Sequence, residues 1–541
     1  MSELVTFLTA LVISMVVIPA MIKVAPRLGM VDLPDSRKVH SHPVPRVGGI
    51  GIVVGSLVPI IMWLPLDTTI RAYLFGAAVL LGFGAWDDSR ELGHYTKFIG
   101  QFVAVLAVVY YGDLHVKVFP FIYSDGVPPS IGKPFTVFAM VGMINAINHS
   151  DGLDGLAGGL SILSLACIAY LASLADGTMV VHVAIAALGG VFGFLRYNSH
   201  PAQVFMGDSG SQFLGYTLAF LAVALTQNVN PALSPALPLL FLGLPIIDIL
   251  AVFAQRIYHG MNWFRATKNH IHHRLLGLNF DHYEAVVIIY SVQAFFVVSA
   301  ILLRYESDAF ISSIYLGTCG LLFGFLLFAQ RYGWRAHRSN TVSVATRIVQ
   351  YIYRHKILAN GPLYLVGALV PLFFVVVSVG TQDVPIDFAV LSASIGGILL
   401  AFLLLGGRSD SLTARAGIYL TAATMVYLAS EYSDRFADFL EMIETPLFVI
   451  AAIAIALAVR FSNEVRFRTT PMDYLLIVIV ISVGFLSRYA VAHQDLAAML
   501  TKLVVMFYGC ELLITRMRQR WNPLVVATLI SLAVLGLRGL A

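Results

Sequence analysis

Charge is what this chain has least of: across 541 residues only 12% are Asp, Glu, Lys or Arg, while 58% are hydrophobic. Ordinary soluble domains are roughly a quarter charged, so a free-standing soluble protein is excluded. A net charge of only +4 also argues against a nucleic-acid-binding surface. Cysteine is nearly absent. Cys167, Cys319 and Cys510 fall singly inside apolar runs without metal-ligand spacing, which excludes a disulfide framework and a zinc-thiolate site. Sustained apolar-polar alternation is missing, and with it the pattern of a transmembrane β-barrel. The opening stretch MSELVTFLTALVISMVV has neither a basic leader nor a small-residue cleavage site and reads as a retained first span. Neither an internal repeat nor a soluble domain is visible.

What the chain has instead is apolar runs of bilayer length, with a mean hydropathy of +0.83. The fold class is all-α, a polytopic membrane protein. The pattern predicts about eleven spans in a first module, near 4–23, 48–64, 70–86, 98–111, 135–147, 156–174, 179–195, 213–226, 235–254, 285–303 and 309–329. About seven more follow, near 362–380, 386–405, 414–429, 443–460, 474–490, 497–515 and 522–540. The first module is placed at 1–335 and the second at 361–541. Between them, 336–360 is a basic linker, best read as a positive-inside loop that meets anionic membrane lipids. Lys and Arg concentrate after the first, ninth and eleventh spans, which puts those loops in the cytoplasm and the N-terminus outside. On that topology five polar loops emerge at the cytoplasmic face.

The residues in those loops suit phosphate chemistry. INAINHSDGLDGLAGGL, 144–160, carries Asn145, Asn148, Asp151 and Asp154 at three-residue spacing among glycines, so local unwinding would let all four converge. Solvated helix caps are the structural alternative. Asp87 and Asp88 close the third span in GFGAWDDSRELGHYTK. Adjacent helical residues point about 100° apart, so each needs its own task, and Lys97 is one counter-charge. In RYNSHPAQVFMGDSGSQFLGY, Asp208 lies among small residues and reads as a ligand for Mg²⁺, with Mn²⁺ the alternative. The same loop offers Asn198, and Phe205 as a face for a nucleobase or as core. RATKNHIHHRLLG gathers His270, His272, His273 and Arg274, donors for a diphosphate, with zinc the rival. Arg37, Lys38 and Arg46 add charge on the same side.

In order and on one side, DDSRELGHYTK, NAINHSDGLDGLAGG, VFMGDSGS and HIHHRLL closely resemble the polyprenyl-phosphate N-acetylhexosamine-1-phosphate transferase family, in its WecA/TagO branch and more distantly MraY. RKVHSHPVPRVGG is similar too. The resemblance covers roughly residues 1 to 335. Thr267 and Lys268 depart from the acidic-basic pair often found before the histidines. The resemblance implies transfer of a sugar 1-phosphate from a UDP-N-acetylhexosamine to undecaprenyl phosphate, releasing UMP, as the first membrane step of cell-surface polysaccharide synthesis. It further implies a bacterial inner membrane location and a cytoplasmic active site. Catalysis then falls to Asp87, Asp88, Asp208 and His270, with Asp208 as the Mg²⁺ ligand. Lys97 and the histidines balance phosphate charge, and Asn148, Asp151 and Asp154 hold the uridine. Direct attack and a covalent aspartyl-phosphate route are both open. Residues 361–541 offer surface for a homodimer or for glycan-assembly partners. A transporter or flippase is the rival class, mainly for that second module.

Overall fold

The computed structural model describes residues 2–34, 42–121, 126–261, 269–336, 356–381, 384–409, 411–431, 437–460, 494–517, 519 and 521–540. The chain divides into two compact units, the first reaching Arg338 and the second beginning at Ser339.

In the first unit the long apolar runs fold as helices. They are α1 (Ser2–Leu28), α2 (Gly48–Trp63), α3 (Thr68–Arg90), α4 (His94–Leu106, continuing as a π turn over Ala107–Tyr111), α5 (Pro129–Ser150), α6 (Leu156–Ser173) and α7 (Thr178–Asn198). Then come α8 (Gly207–Ala224), the short α9 (Pro238–Phe241), α10 (Gly243–Tyr258), α11 (Ile271–Gly277), α12 (His282–Leu302) and α13 (Asp308–Arg331). Between α1 and α2 a two-residue antiparallel pair, β1 (Val31–Asp32) and β2 (Val44–Pro45), sets Val31 opposite Pro45. Among the described residues nine helices are long and apolar enough to cross a membrane, and several shorter apolar helices accompany them. The chain is therefore a polytopic all-α membrane protein. One expected span differs. The run 235–254 is split into α9 and α10 at Leu242, and its polar Asp248 is buried.

Helix α8 is the axis of this unit, buried along its whole length and packed against α2, α3 and α5. Small residues make that approach possible, as they do wherever helices must meet in an apolar medium. A Cβ at Gly215 would come within 2.6 Å of the Ile144 Cα, and one at Gly84 within 2.4 Å of the Ser209 Cα. Polar groups inside the bundle are paired, since an unpaired one is costly where water is excluded. Tyr73 stacks on Tyr216 at 5.5 Å and shares a 3.0 Å hydrogen bond with Thr217. The outcome is a rigid scaffold in which the ends of α3, α5 and α7 meet the starts of α2, α4, α8 and α12.

The second unit contains α14 (Lys356–Gly380), α15 (Ile386–Leu404), α16 (Leu412–Glu431), α17 (Ala437–Arg460), α18 (Gln494–Arg516) and α19 (Pro523–Leu540). The expected span 474–490 lies outside the described residues, as does most of the basic linker. Its core includes Phe374, Ile418, Met425, Leu513 and Leu535. An ion pair between Arg415 and Glu511, joined by the Tyr419 hydroxyl, ties α16 to α18.

Candidate active site

The site begins with where α3 stops. Glu91 takes a left-handed conformation at φ 46°, and its N–H bonds to the Asp87 carbonyl at 2.8 Å, ending the helix just beyond both aspartates. The neighbouring carboxylates then do separate work. Asp88 accepts hydrogen bonds from the Asp208 N–H at 2.7 Å, the Ser209 N–H at 3.1 Å and the Ser209 hydroxyl at 2.9 Å. It thus caps the start of α8, where free N–H groups and the helix dipole favour an anion. Gly207, at φ 71°, makes room for this: a Cβ there would lie 2.6 Å from both Asp88 carboxylate oxygens. Asp87 instead accepts from the Leu92 N–H at 2.6 Å and pairs with Lys97 Nζ at 2.7 Å.

Lys97 links α3 to α8, since its ammonium also lies 2.8 Å from Asp208 Oδ2. The Asp208 carboxylate further accepts from Gln212 Nε2 at 3.1 Å and from Asn148 Nδ2 at 3.1 Å. Asn148 in turn donates to the Ser211 hydroxyl at 2.8 Å. Helix α5 ends at Ser150, and the chain unwinds through Asp151–Gly155 before α6, with Gly155 at φ 80°. Among the described residues nothing donates to the Asp151 carboxylate. Burial, and then the carboxylates of Asp208, Asp154 and Asp88, raise it to about 7.

The four residues of the Asn-Asp run do not all converge. Asn145 donates to Gln101 Oε1 at 2.8 Å, and Gln101 and Gln212 continue that line of amides to Asp208. Asp154 turns to His200, with Oδ2 2.6 Å from Nδ1, and also accepts from the Ala202 N–H at 3.1 Å. The reason is local: unwinding changes the direction of each side chain, and only Asn148 and Asp151 keep facing Asp208. Asn198 is buried and braces the loops, accepting from the Gly155 N–H at 2.8 Å and donating to the Val204 carbonyl at 2.8 Å. Phe205 is half-buried, its backbone bridging Pro45 and Gly48. Arg46 pairs with Asp32 and stands 3.6 Å from Glu91, which fixes the loop before α2. Arg37 and Lys38 lie outside the described residues.

The histidine segment reaches the site through α11. His270 Nδ1 is 2.7 Å from Asp248 Oδ2, and the Ile271 N–H donates to Asp248 Oδ1 at 2.8 Å. With Nδ1 held by the carboxylate, Nε2 is the nitrogen left for other partners. The His270 ring stacks with His149 at 5.2 Å and His272 at 5.8 Å. His272 fits against Gly152, where a Cβ would come 2.2 Å from Nε2. Burial, and then neighbouring His273, push His272 down to about 3, so in the ligand-free protein it is a neutral hydrogen-bonding ring rather than a counter-charge. His273 and Arg274 turn elsewhere, lining a cavity with Gln255, Asn269 and Gln330. Sequence reasoning missed Asp248, Gln101, His149, His200 and His282. Asp248 had a signal, as an ionisable residue inside the apolar run LPIIDIL.

Comparison with known proteins agrees with this arrangement. Residues 70–226 match the model of Glycosyl transferase family 4. A decaprenyl-phosphate N-acetylglucosaminephosphotransferase of Mycobacterium tuberculosis (strain H37Rv) is 30% identical over 314 residues, 52% of this chain and 78% of that protein. An undecaprenyl-phosphate alpha-N-acetylglucosaminyl 1-phosphate transferase of Salmonella typhi is 28% identical over 273 residues, 49% of this chain and 74% of that protein. A Bacillus subtilis (strain 168) protein, named as a probable undecaprenyl-phosphate N-acetylglucosaminyl 1-phosphate transferase, is 34% identical over 303 residues, 56% of this chain and 84% of its own length. That degree of identity, over most of the Bacillus protein and through the loops that build the carboxylate cluster, makes this chain a member of the polyprenyl-phosphate N-acetylhexosamine-1-phosphate transferase family.

Proposed function

We propose that the protein transfers N-acetylhexosamine 1-phosphate from a UDP-sugar to undecaprenyl phosphate and releases UMP, working at the cytoplasmic face of a bacterial inner membrane. The observation that carries this reading is the meeting of Asp87, Lys97, Asn148 and Asp208, drawn from four helices, at one end of the bundle. The relatives' names supply the lipid acceptor and the sugar. The basic loops on the side of these residues supply the orientation.

The donor set fits a hard divalent cation. Among the described residues the carboxylates of Asp87, Asp88, Asp151 and Asp208 are answered by one ammonium, that of Lys97, and the Asp151 carboxylate accepts no hydrogen bond. Asp208, with Asp151 beside it, would hold Mg²⁺ through oxygen ligands, and Mn²⁺ suits the same set. Bound there, the ion supplies positive charge against the donor diphosphate.

The chain's own groups do the rest. Lys97 is placed to meet phosphate oxygens, with Asp87 fixing its position. Asp88 sets the start of α8 and thereby aims Asp208. An oxygen of the lipid phosphate forms a bond to the β-phosphorus, the bond from that phosphorus to the bridging oxygen breaks, and UMP leaves with the bridging oxygen and its electron pair. Asp88 already accepts three hydrogen bonds, and Asp87 is held by Lys97 and Leu92. Neither is a bare nucleophile, which favours direct attack over a phosphoryl intermediate on either residue. His270, oriented by Asp248, is the donor nearest in kind to what a leaving phosphate needs. The reading is tested by UMP release from purified protein with undecaprenyl phosphate, Mg²⁺ and a panel of UDP-sugars. Release confined to UDP-N-acetylhexosamines and abolished by EDTA supports it; the absence of release with every UDP-sugar contradicts it.

A further inference from the structure

Beside the carboxylate cluster stands a second group of side chains that the transfer step does not use. Asp154, His200 and His282, all half-buried, bring ligand atoms within 4.8 Å of one another. His200 Nδ1 is 2.6 Å from Asp154 Oδ2, and His282 Nε2 is 3.3 Å from the Asp154 carbonyl. The two imidazoles stack at 4.2 Å, and Tyr283 meets the His200 ring edge-on at 5.3 Å.

Each member comes from a different element, and each element is fixed by bonds outside the group. The Asp154 loop is held by the Tyr290 hydroxyl donating to the Gly155 carbonyl at 2.7 Å and by Asn198 accepting from the Gly155 N–H. The His200 loop is held by Asn198 donating to the Val204 carbonyl. His282 is the first residue of α12, whose start is set by the capping box of Asp281 and Glu284. Ala202 N–H donates to the Asp154 carboxylate, the kind of orienting bond that ligating carboxylates receive.

Two imidazoles and one carboxylate, with a fourth position left for water, are a donor set for a borderline-soft ion. The same set is poor for Mg²⁺, which prefers oxygen ligands, so the two neighbouring sites would sort their ions by chemistry. We propose that Asp154, His200 and His282 bind one divalent transition-metal ion of the zinc class, which clamps loops 151–155 and 199–206 onto the start of α12. This site does not depend on the identity of the sugar donor or on Mg²⁺ at Asp208.

Full-length protein purified in detergent without chelator tests the proposal, with bound metal measured by plasma mass spectrometry and Co(II) added to the metal-free protein as a spectroscopic probe. The wild type should hold about one equivalent of zinc and, with Co(II), show the visible bands of a four-coordinate site. His200→Asn and His282→Gln should each lower bound metal by about tenfold or more. A His272→Gln/His273→Gln variant should keep the metal, which separates this group from the histidine segment on α11. EDTA should lower the melting temperature of the wild type but not of His282→Gln. Absence of metal and of Co(II) bands in the wild type, or metal lost with His272 and His273 rather than with His200 and His282, overturns the proposal. The Co(II) spectrum of the wild type remains decisive if a variant fails to fold.

Discussion

Single residues at this site are defined less by their type than by their partners. Asp248 shows it best. Its two oxygens take the His270 ring and the Ile271 N–H, so it fixes where the imidazole points without itself entering the site. Asp248→Asn is therefore expected to lower kcat for UMP release by about 10- to 100-fold, with little change in KM or melting temperature. His272 makes a different prediction. Its folded-state pKa, about 3, lies below the ordinary 6.5. The unfolded chain then takes up a proton that the folded chain refuses, so this contribution to stability is complete above pH 6.5 and is lost as pH falls toward 3. Melting temperature plotted against pH should fall less steeply on the acid side in His272→Gln than in the wild type. Residue identities were legible in the sequence where several chemistry-bearing groups shared a loop, as with Asp87, Asp88 and Asp208. They were illegible where one polar residue stood alone, as with Gln101 and Asp248, because only packing reveals what it faces.

At the scale of elements, the site is made by the ways helices begin and end. Helix α8 starts on Asp88, α3 stops at a left-handed Glu91, and α5 unwinds at Asp151. The apolar periods of the sequence locate these helices well, because a bilayer demands long uninterrupted runs. They do not locate the breaks, since a break depends on what satisfies the freed backbone. The split between α9 and α10 was read as one continuous span for that reason. The convergence expected for Asn145 and Asp154 failed for a related one: unwinding redirects side chains in ways that helical spacing does not encode. Gly207 tests how much depends on one helix start. Gly207→Ala places a Cβ 2.6 Å from the Asp88 carboxylate oxygens at a φ of 71°. The left-handed conformation alone costs about 1–2 kcal/mol for a residue with a side chain. The variant should melt at a lower temperature and lose at least tenfold in UMP release, read in the same preparation.

The whole molecule carries more than the reaction needs. Its first unit contains every residue assigned a part in transfer, and its second contributes none of them. The relatives align with only about half of this chain. Protein truncated after Lys356 is accordingly expected to keep UMP release within a few-fold of the full chain, assayed in detergent with both substrates saturating. A loss of release without unfolding would make the second unit part of the enzyme. The division into two membrane modules was visible in the sequence because polar clusters stop at the basic stretch 331–356, whereas the second module offers mostly apolar runs. Its buried Arg415–Glu511 pair could not be foreseen, because the two residues are far apart in the chain and nothing local pairs them. The central claim is that acids from α3, α5 and α8 form one site in which Asp208 is indispensable. Its most direct test is UMP release by purified Asp208→Asn with undecaprenyl phosphate, UDP-N-acetylglucosamine and Mg²⁺. The account predicts that release falls by at least about a hundredfold while the melting temperature stays near that of the wild type; near-normal release by that variant would contradict it.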